Sequence, residues 1–420
     1  MYALNGLLPV DFSFPATQQA QAVSGQQHPL DMPQTTATSG CRPWSATINP
    51  APPQSPNTQF SGVAAVSASD VWAVGFTVQP PDEDAPALTL IEHWDGQSWQ
   101  IITSPSPHPA GGNALSSVAA VSASDVWAVG FTGETPGARG FGTGQTLIEH
   151  WDGTGWQVIP SPSPGSVSNP LTAVAVVQAD DVWAAGRFSN TTDPSGPLST
   201  LIEHWDGHKW QVVPSPNPES SSTINGLAVV SANDIWAVGF SSPSLSTGPF
   251  HTLTEHWDGK TWRVVPSPSP APAINRLVSV TVVSARDVWA VGSAADTFFD
   301  DPNELLTTLI EHWNGTRWRV VPSPNPGWGV NELFAVAAIS THNVWAAGVY
   351  GNTLLGTVQS QTLVEHWNGK AWQVVPSQSP GVFANVLRGI VRVPGTQTLW
   401  GVGQEANASV VVQPISEFSC

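Results

Sequence analysis

Short apolar runs separated by turn residues recur along most of the chain. In the clearest copy, four runs rich in Val, Ile and Trp have the composition of β-strands. We call them strands a to d; they run from Ser117 to Val121, Asp125 to Phe131, Gln145 to Trp151 and Trp156 to Pro160. An Asp-Gly or Asn-Gly dipeptide follows strand c, and these residues tolerate the positive φ angles of a two-residue hairpin. The pattern predicts that c and d are antiparallel neighbours.

The tryptophans show how regular this repeat is. Twenty of the 21 tryptophans fall at three repeated positions, and Trp328 is the exception. The strand b position, in the phrase DVWAVG, is occupied by Trp72, Trp127, Trp183, Trp236, Trp289, Trp345 and Trp400. The end of strand c is occupied by Trp94, Trp151, Trp205, Trp257, Trp313 and Trp367, and the start of strand d by Trp44, Trp99, Trp156, Trp210, Trp262, Trp318 and Trp372.

Four antiparallel strands that repeat every 53 to 56 residues predict an all-β fold, a seven-bladed β-propeller with four strands per blade. The chain ends complete one another. Before the first complete copy the chain has only a strand d that starts at Trp44, whereas the last copy has a, b and a strand c at Ser409 to Gln413 but no d. We therefore expect residues 41–420 to form the propeller, with the seventh blade closed by the N-terminal strand.

Residues 1–40 lack the repeat and carry neither Lys nor Arg, so we expect a disordered N-terminal arm. The apolar stretch from Met1 to Pro15 has no positive n-region and is interrupted by Asp11, which makes a poor signal peptide. Either the true start lies upstream or export uses another route. No run approaches the roughly 18 apolar residues of a membrane span, so none is expected.

The charge balance limits the classes of partner. The chain has 31 Asp and Glu against 13 Lys and Arg, a formal net charge of -18. Nucleic acid is not an expected partner, because phosphate binding needs clustered Lys and Arg. The composition favours an extracellular or cell-surface protein, and we expect it to be a monomer.

The two cysteines predict a disulfide. Cys41 lies just before the strand d donated by the N-terminus, and Cys420 ends the chain after strand c of the same blade. A bond between them would lock the closing blade, with a chain-entropy contribution of at most ~5 to 6 kcal/mol, and would indicate an oxidising compartment. Mass spectrometry without reductant should show the intact chain with the mass of one disulfide; two free thiols would contradict the pairing.

A Glu-His pair precedes the tryptophan of every complete strand c, and so provides many candidate acids, bases or metal ligands. Neighbouring strand side chains point to opposite faces, and a site need occur only once. We therefore interpret these residues as structural. Each is expected to satisfy groups between packed blades, with the turn acids Asp70, Asp125, Asp181, Asp234 and Asp287 as partners.

Variable loops indicate where ligands bind. The a-b and c-d turns hardly vary, whereas the b-c loops, on the opposite rim with the d-to-a crossings, vary in length and content. Candidate ligand-binding residues on that rim are Trp328, Tyr350, Phe298 and Phe299. The sequence predicts no cofactor; the alternative is calcium, which takes 6 to 8 oxygen ligands and could be held by Asp296, Asp300, Asp301 and Glu304. A solvated acidic loop is the competing interpretation, since no EF-hand pattern is present.

The phrases DVWAVG, TLIEHWDG and WQVVPSPNP resemble those of bacterial exported propeller-repeat proteins, which are loosely grouped with kelch and galactose-oxidase-like propellers. The resemblance covers residues 41–420 and implies a secreted propeller. Strand b lacks the Gly-Gly doublet of kelch repeats, and no sialidase S-x-D-x-G-x-T-W box occurs. Since the only tyrosines are Tyr2 and Tyr350 and no cysteine lies mid-chain, the crosslinked copper site of galactose oxidase cannot be assembled.

These observations favour a non-catalytic binding or scaffold propeller with a carbohydrate or protein ligand on the variable-loop rim. A sialidase-like site is not expected, because Arg263, Arg317 and Arg319 are placed in outer d strands and Arg286 in a turn on the opposite rim. Two alternatives stay open: a hydrolase or lyase with a rim carboxylate site, and a structural surface or matrix protein. An enzyme would need an unrepeated polar constellation near the central channel, and a lectin would show exposed aromatic residues on the rim.

Overall fold

The structure is a computed structural model that describes residues 44–52, 55, 57–78, 86–108, 111–134, 144–298, 305–351, 360–407 and 411–419. Every regular element in these residues is a β-strand. In chain order the strands are β1 (Ser45–Ile48), β2 (Asn57–Ser67), β3 (Asp70–Val78), β4 (Ala87–Trp94), β5 (Trp99–Ile101), β6 (Gly112–Ser122), β7 (Asp125–Glu134), β8 (Gln145–Trp151), β9 (Trp156–Val158), β10 (Leu171–Gln178), β11 (Asp181–Phe188), β12 (Ser199–Trp205), β13 (Trp210–Val212), β14 (Ser221–Ser231), β15 (Asp234–Ser242), β16 (His251–Trp257), β17 (Trp262–Val264), β18 (Ile274–Ser284), β19 (Asp287–Ala295), β20 (Thr307–Trp313), β21 (Trp318–Val320), β22 (Val330–Ser340), β23 (Asn343–Gly351), β24 (Ser360–Trp367), β25 (Trp372–Val374), β26 (Ala384–Arg392), β27 (Leu399–Ala406) and β28 (Val412–Ser419).

Five sheets have four antiparallel strands each, in the order a-b-c-d: β6–β9, β10–β13, β14–β17, β18–β21 and β22–β25. The remaining strands form a sheet of eight, in which β26-β27-β28 continues into β2-β3-β4-β5 and β1 pairs with β28. Only one parallel bridge, Asn57 to Val412, joins β2 to β28. Strand β1 is antiparallel to β28, with Ser45 opposite Phe418, which is the pairing of the two chain ends that the sequence predicts.

The innermost strands follow one another in a closed circle. Strand β2 packs beside β6, then β10, β14, β18, β22 and β26 follow in turn, and β26 packs beside β2. A circle of four-stranded antiparallel units is the arrangement of a β-propeller. The all-β propeller fold expected from the repeat is therefore confirmed.

The glycine that ends DVWAVG is required by close approach of two strands. A Cβ on Gly130 of β7 would lie 2.0 Å from the carbonyl oxygen of Ala114 in β6. The register shifts between Leu115 and Ser117 of the same pair, which marks a β-bulge at the innermost strand. The equivalent shift recurs in the other a-b pairs, so the bulge belongs to the repeat.

The c-d hairpin differs from the predicted two-residue turn. Trp94 pairs with Trp99, so four residues form the loop. Oδ1 of Asp95 accepts the backbone N–H groups of Gln97 (2.8 Å) and Ser98 (2.9 Å), and Gly96 has φ +93°. The Asp-Gly signal thus predicted the antiparallel pairing correctly, but the Asp side chain organises a longer turn.

The last strand c was also misplaced by the sequence pattern. The apolar run predicts a strand at Ser409 to Gln413, whereas β28 is Val412–Ser419. Its register places Glu417 and Phe418 opposite Gly401 and Trp400, as Glu149 and His150 lie opposite Ala128 and Trp127. Pairing with β27 and β1, rather than local composition, decides where this strand lies.

The core lies between neighbouring sheets. Trp127 of β7 is 2% exposed and contacts Trp205 and Trp210 of the next sheet, at ring-centroid distances of 5.2 and 5.5 Å. The same contact joins Trp400 of β27 to Trp94 and Trp99, so the eight-stranded sheet packs on itself at this place. The repeated tryptophans therefore hold adjacent units together around the circle.

Antiparallel order places the loops at two ends. The a-b and c-d turns lie at one end, which we call the short-turn rim, and the b-c loops and d-to-a crossings lie at the other, which we call the variable-loop rim. None of the described residues forms a helix long and apolar enough to cross a membrane.

Candidate binding surface on the variable-loop rim

The repeated histidines are bound by a turn residue of their own sheet. Nε2 of the histidine lies 2.8 Å from Oδ1 of the aspartate in His93–Asp70, His150–Asp125, His204–Asp181, His256–Asp234 and His312–Asp287. His366 is 3.0 Å from Asn343 Oδ1. The predicted turn acids are thus the right partners, but the pairs lie within a sheet rather than between blades. They fix strand c against strand b beneath the tryptophans, so they are structural.

The repeated glutamates are buried between sheets. Oε2 of Glu92 accepts from Asn49 Nδ2 (3.1 Å), and Oε2 of Glu149 accepts from Ser104 Oγ (2.9 Å), both donors following the strand d of the preceding unit. The side chains of Glu92, Glu149, Glu203, Glu255, Glu311, Glu365 and Glu417 are all 0% exposed. Burial raises the pKa to about 8 for all but Glu311, whose pKa it raises well above the usual range. The seventh member, Glu417, escaped sequence reasoning because the last strand was misplaced.

Trp328 is an exposed side chain on a rigid turn. Its side chain is 76% exposed, in the crossing between β21 and β22. The N–H of Gly327 donates to Asn331 Oδ1 (2.7 Å), and Asn331 Nδ2 donates to the carbonyls of Gly327 (2.7 Å) and Leu306 (3.1 Å). Asn331 is 1% exposed, so a buried amide holds both ends of the turn. The turn therefore presents the indole to solvent without covering it.

The same turn recurs without tryptophan. Asn169, Asn275 and Asn385 make the corresponding bonds to Gly165, Ala271 and Gly381. The residues at the position of Trp328 are Ser166, Pro272 and Val382. The asparagine turn is therefore part of the scaffold, whereas the indole is a feature of one crossing.

One further exposed apolar side chain lies beside this crossing, and another lies on the next crossing of the same rim. Leu305 is 54% exposed, and the N–H of the adjacent Leu306 donates to the carbonyl of Gly329 (2.9 Å), beside Trp328. Val382, 53% exposed, occupies the turn of the next crossing. We call Leu305, Trp328 and Val382 the rim patch. Most other exposed large apolar residues, such as Ile101 and Val158, belong to the outer d strands of the repeat.

Phe298 and Tyr350, two of the other predicted ligand-binding residues, each contact another side chain. Phe298 is 36% exposed and its ring lies 6.3 Å from that of Phe250. The hydroxyl of Tyr350 donates to Gln361 Oε1, and burial raises the pKa of Tyr350. Among the described residues no ring contact joins Trp328 to Phe298 or Tyr350, so the structure does not bring these three into one aromatic cluster.

An unrepeated polar cluster lies below the rim patch on the innermost strands. Arg276 of β18 donates from Nη2 to Glu332 Oε1 of β22 (2.9 Å), and Ser293 Oγ donates to the same oxygen (3.1 Å). The Arg276 and Glu332 side chains are only 5% and 1% exposed. Arg388 lies in β26, the next innermost strand around the circle, and its guanidinium is 5.1 Å from the centre of the Phe334 ring of β22. Because Glu332 is buried and ion-paired, it is suited to joining β18 to β22 rather than to proton transfer with a ligand.

Several predicted residues cannot be located in this surface. Phe299, Asp300, Asp301, Glu304, Cys41 and Cys420 lie outside the described residues. Asp296 is described and exposed. Where the structure describes the chain, no three His, Cys, Asp or Glu side chains come together as metal ligands. The calcium site and the disulfide stay predictions.

Leu305, Val382 and the Arg276–Glu332 pair were missed by the sequence analysis. These residues could have been found as Trp328 was, by looking for positions where the residue differs from the one in the other copies of the repeat. Arg276 and Glu332 stand where Ala114 stands in β6, and Val382 stands where Ser166 stands in another crossing. The sequence does not show which of these differing residues lie close together, because that depends on which sheets are neighbours. It also does not show their exposure, which depends on packing.

Comparison with known proteins supports the fold. A solved structure described as YCF48 bound to D1 peptide is similar to this chain with a TM-score of 0.51 and 15% identity, covering 89% of this chain and 94% of that one. A polysaccharide lyase described as a PL25 ulvan lyase bound to -[GlcA(1-4)Rha3S]- has a TM-score of 0.48 and 11% identity, covering 82% and 89%. No protein-family model and no curated protein matches, so the resemblance to exported and kelch-like propellers rests on the repeated phrases alone.

Proposed function

We propose that the chain is a non-catalytic binding propeller of seven blades, and that a protein or peptide ligand binds its variable-loop rim at the rim patch. The exposed indole of Trp328 on its asparagine-held turn carries this proposal. Tryptophan is enriched among the few residues that dominate binding energy at interfaces. A rigid turn also reduces the entropy lost on binding.

Dividing the eight-stranded sheet at its single parallel bridge supports the proposed blade number. One part is β2–β5, and the other is β26–β28 with β1 as its fourth strand. With the five separate sheets this makes seven units in the circle. The position of Trp400 against Trp94 and Trp99 supports the division, because the same contact elsewhere joins separate sheets.

Apolar neighbours favour a peptide over a sugar as the ligand. Leu305 places aliphatic surface beside the Trp328 turn, and Val382 places it on the turn of the next crossing, whereas a sugar site needs polar groups beside its stacking ring. The D1 peptide bound to YCF48 is consistent with this choice but does not carry it, since that likeness shows the fold alone. We also propose that the protein acts outside the cell, as its composition suggests.

Replacing Trp328 by Ala should abolish most of the binding. Peptides selected from a random display library on the full chain should bind the Trp328→Ala variant about 25-fold or more weakly, the effect of losing about 2 kcal/mol at a central interface residue. The dissociation constant of each selected peptide, measured by calorimetry, gives the comparison. Ile101→Ala, an exposed apolar change on an outer strand, is the control and should leave it unchanged.

A second pair of variants separates loss of the Trp328 turn from a general loss of stability. Asn331→Ala removes the bonds that hold the Trp328 turn, and Asn275→Ala removes the equivalent bonds in another crossing. Both should lower the melting temperature similarly, but only Asn331→Ala should weaken peptide binding. The proposed surface would be refuted if Asn331→Ala and Asn275→Ala lost peptide affinity equally, or if Trp328→Ala bound the peptides as tightly as wild type. A panel of polysaccharides, assayed for binding and for cleavage, tests the lectin and lyase alternatives with the same variants.

A further inference from the structure

Three exposed arginines lie together on the short-turn rim of the sheet β18–β21. Arg286 is in the a-b turn and Arg319 in β21, whereas Arg317 lies in the c-d turn and not in strand d as expected from the sequence, because β21 begins at Trp318. The aliphatic part of Arg286 lies against the c-d turn, because a Cβ on Gly315 would be 2.8 Å from Arg286 Cγ. We call these three residues the arginine cluster.

The repeat shows what is unusual about this cluster. In the first three copies the residue at the position of Arg319 is a glutamine that donates to the turn aspartate: Gln100 to Asp95 (2.8 Å), Gln157 to Asp152 (3.0 Å) and Gln211 to Asp206 (2.7 Å). In the fourth copy Arg263 pairs with Asp258 at 3.2 Å. In β18–β21 the turn acid is replaced by Asn314, so Arg319 has no carboxylate there.

No acid among the described residues neutralises the cluster. Asn314 Oδ1 accepts the backbone N–H groups of Thr316 and Arg317, and within the described residues none of the three arginines makes an ion pair. The adjacent acid, Asp287, is 7% exposed and binds His312 and Trp289. Three guanidinium groups thus face solvent on one hairpin end.

The positive surface continues onto neighbouring units. Lys260 is exposed on the c-d turn of the preceding sheet, and Lys370 on that of the following one. In the following sheet both repeated acids are also replaced, by Asn343 and Asn368. The sheets β2–β5 and β6–β9 have no Lys or Arg on this rim. In a chain of net charge -18 with 13 Lys and Arg, five of these cations lie on one arc of one rim: Lys260, Arg286, Arg317, Arg319 and Lys370.

We propose that this arc, centred on the arginine cluster, binds an acidic polysaccharide through its sulfate or carboxylate groups. Guanidinium groups bind such oxyanions with two parallel hydrogen bonds. Cations spread over successive units fit a linear polymer better than one small ion. Nucleic acid fits less well, because duplex DNA carries a charge about every 1.7 Å and requires denser neutralisation. The site is on the opposite rim from the rim patch and is independent of it.

Labelled dextran sulfate and carboxymethyl dextran are the probes, with unmodified dextran and duplex DNA as comparisons. The full chain should bind an acidic dextran, more weakly as salt is raised, and should not bind dextran. The triple variant Arg286→Ser, Arg317→Ser, Arg319→Gln, which installs the residues of the first copy, should bind about 100-fold more weakly. Its melting temperature should be unchanged, because all three side chains are exposed.

A single substitution tests the mechanism without removing a cation. Asn314→Asp restores the turn acid, which should pair with Arg319 and weaken binding about fivefold. Gln97→Glu makes the same change in charge on an exposed turn of the first copy and should have no effect. Equal affinity of the wild-type chain and the triple variant, equal effects of Asn314→Asp and Gln97→Glu, failure to bind either acidic dextran, or tighter binding to DNA would each overturn the proposal.

Discussion

Raising the pH from 5 to 8 is expected to destabilise the folded protein. The cause is the set of seven glutamates buried between sheets, six of which have a pKa raised from 4.5 to about 8. Between these two values the folded chain binds protons that the unfolded chain has released. Their stabilising contribution is fully present below pH 4.5 and is lost as the pH rises to about 8.

The size of this effect should be large because the groups act together. A shift of one pKa unit corresponds to 1.36 kcal/mol, so each carboxyl contributes on the order of a few kcal/mol across this range. The midpoint of thermal unfolding should fall by about 10 °C or more between pH 5 and pH 8. Scanning calorimetry over a pH series gives this measurement.

The loss of stability at the acid end of the pH series has a different cause. Backbone N–H groups lower the pKa of the turn aspartates Asp95, Asp206 and Asp258, and side-chain and backbone donors lower that of Asp152. The stability that these aspartates contribute is present above their ordinary pKa of 3.8. It is lost as the pH falls through their lowered pKa in the folded protein. Stability should therefore be greatest near pH 4 to 5.

Glu255→Gln is the variant that identifies the carboxyls as the cause. Neither oxygen of Glu255 has a hydrogen-bond partner among the described residues, and an amide of the same shape cannot ionise. The variant should be more stable than wild type at pH 8 and nearly equal at pH 5. A melting temperature that does not change between pH 5 and pH 8, or a Gln variant whose effect is the same at both, would contradict this explanation.

Removing one repeated tryptophan is expected to cost about 3 to 5 kcal/mol of unfolding free energy, the usual range for a buried Trp→Ala change. Trp127 is 2% exposed, stacks on His150 at 4.2 Å and contacts two tryptophans of the next sheet. Its loss leaves a cavity at the contact between two units and removes the surface on which His150 rests. Urea unfolding of Trp127→Ala measures the cost.

Trp328→Ala is the matched control for this prediction. It makes the same chemical change at a side chain that is 76% exposed, so its effect should stay within about 0.5 kcal/mol. The expected pattern is a large loss of stability in one variant and a loss of ligand binding in the other. Similar stability losses in the two variants would show that the assignment of core and surface tryptophans is wrong.

Most of the architecture could be read from the sequence because the strands repeat with nearly constant spacing. In the second copy, strands b and c begin where β7 and β8 begin, and strand d where β9 does. The prediction failed where the repeat decays. At the C-terminus a run of valines predicts strand c too early, and only pairing with β27 and β1 shows that the strand continues to Ser419.

The candidate surface was only partly predictable. Trp328 was found because it breaks the tryptophan pattern, and its exposure follows from the Asn331 turn that only the structure shows. Tyr350 was also selected by type, but its hydroxyl is bound to Gln361. Residue type identified what a side chain can do, whereas packing decided whether it is available.

The sequence by itself determined the all-β repeat, the place of the strands in the regular copies and the classes of tryptophan, because these depend on local pattern and spacing. From the sequence we expected both the glutamates and the histidines to act between blades, and only the tertiary structure showed that the histidines instead bind aspartates within one sheet. The tertiary structure also decided that Arg276 is buried against Glu332 while Arg286, Arg317 and Arg319 share an exposed end. Burial and charge pairing depend on neighbours that lie on other strands and other sheets, and no local pattern carries that information.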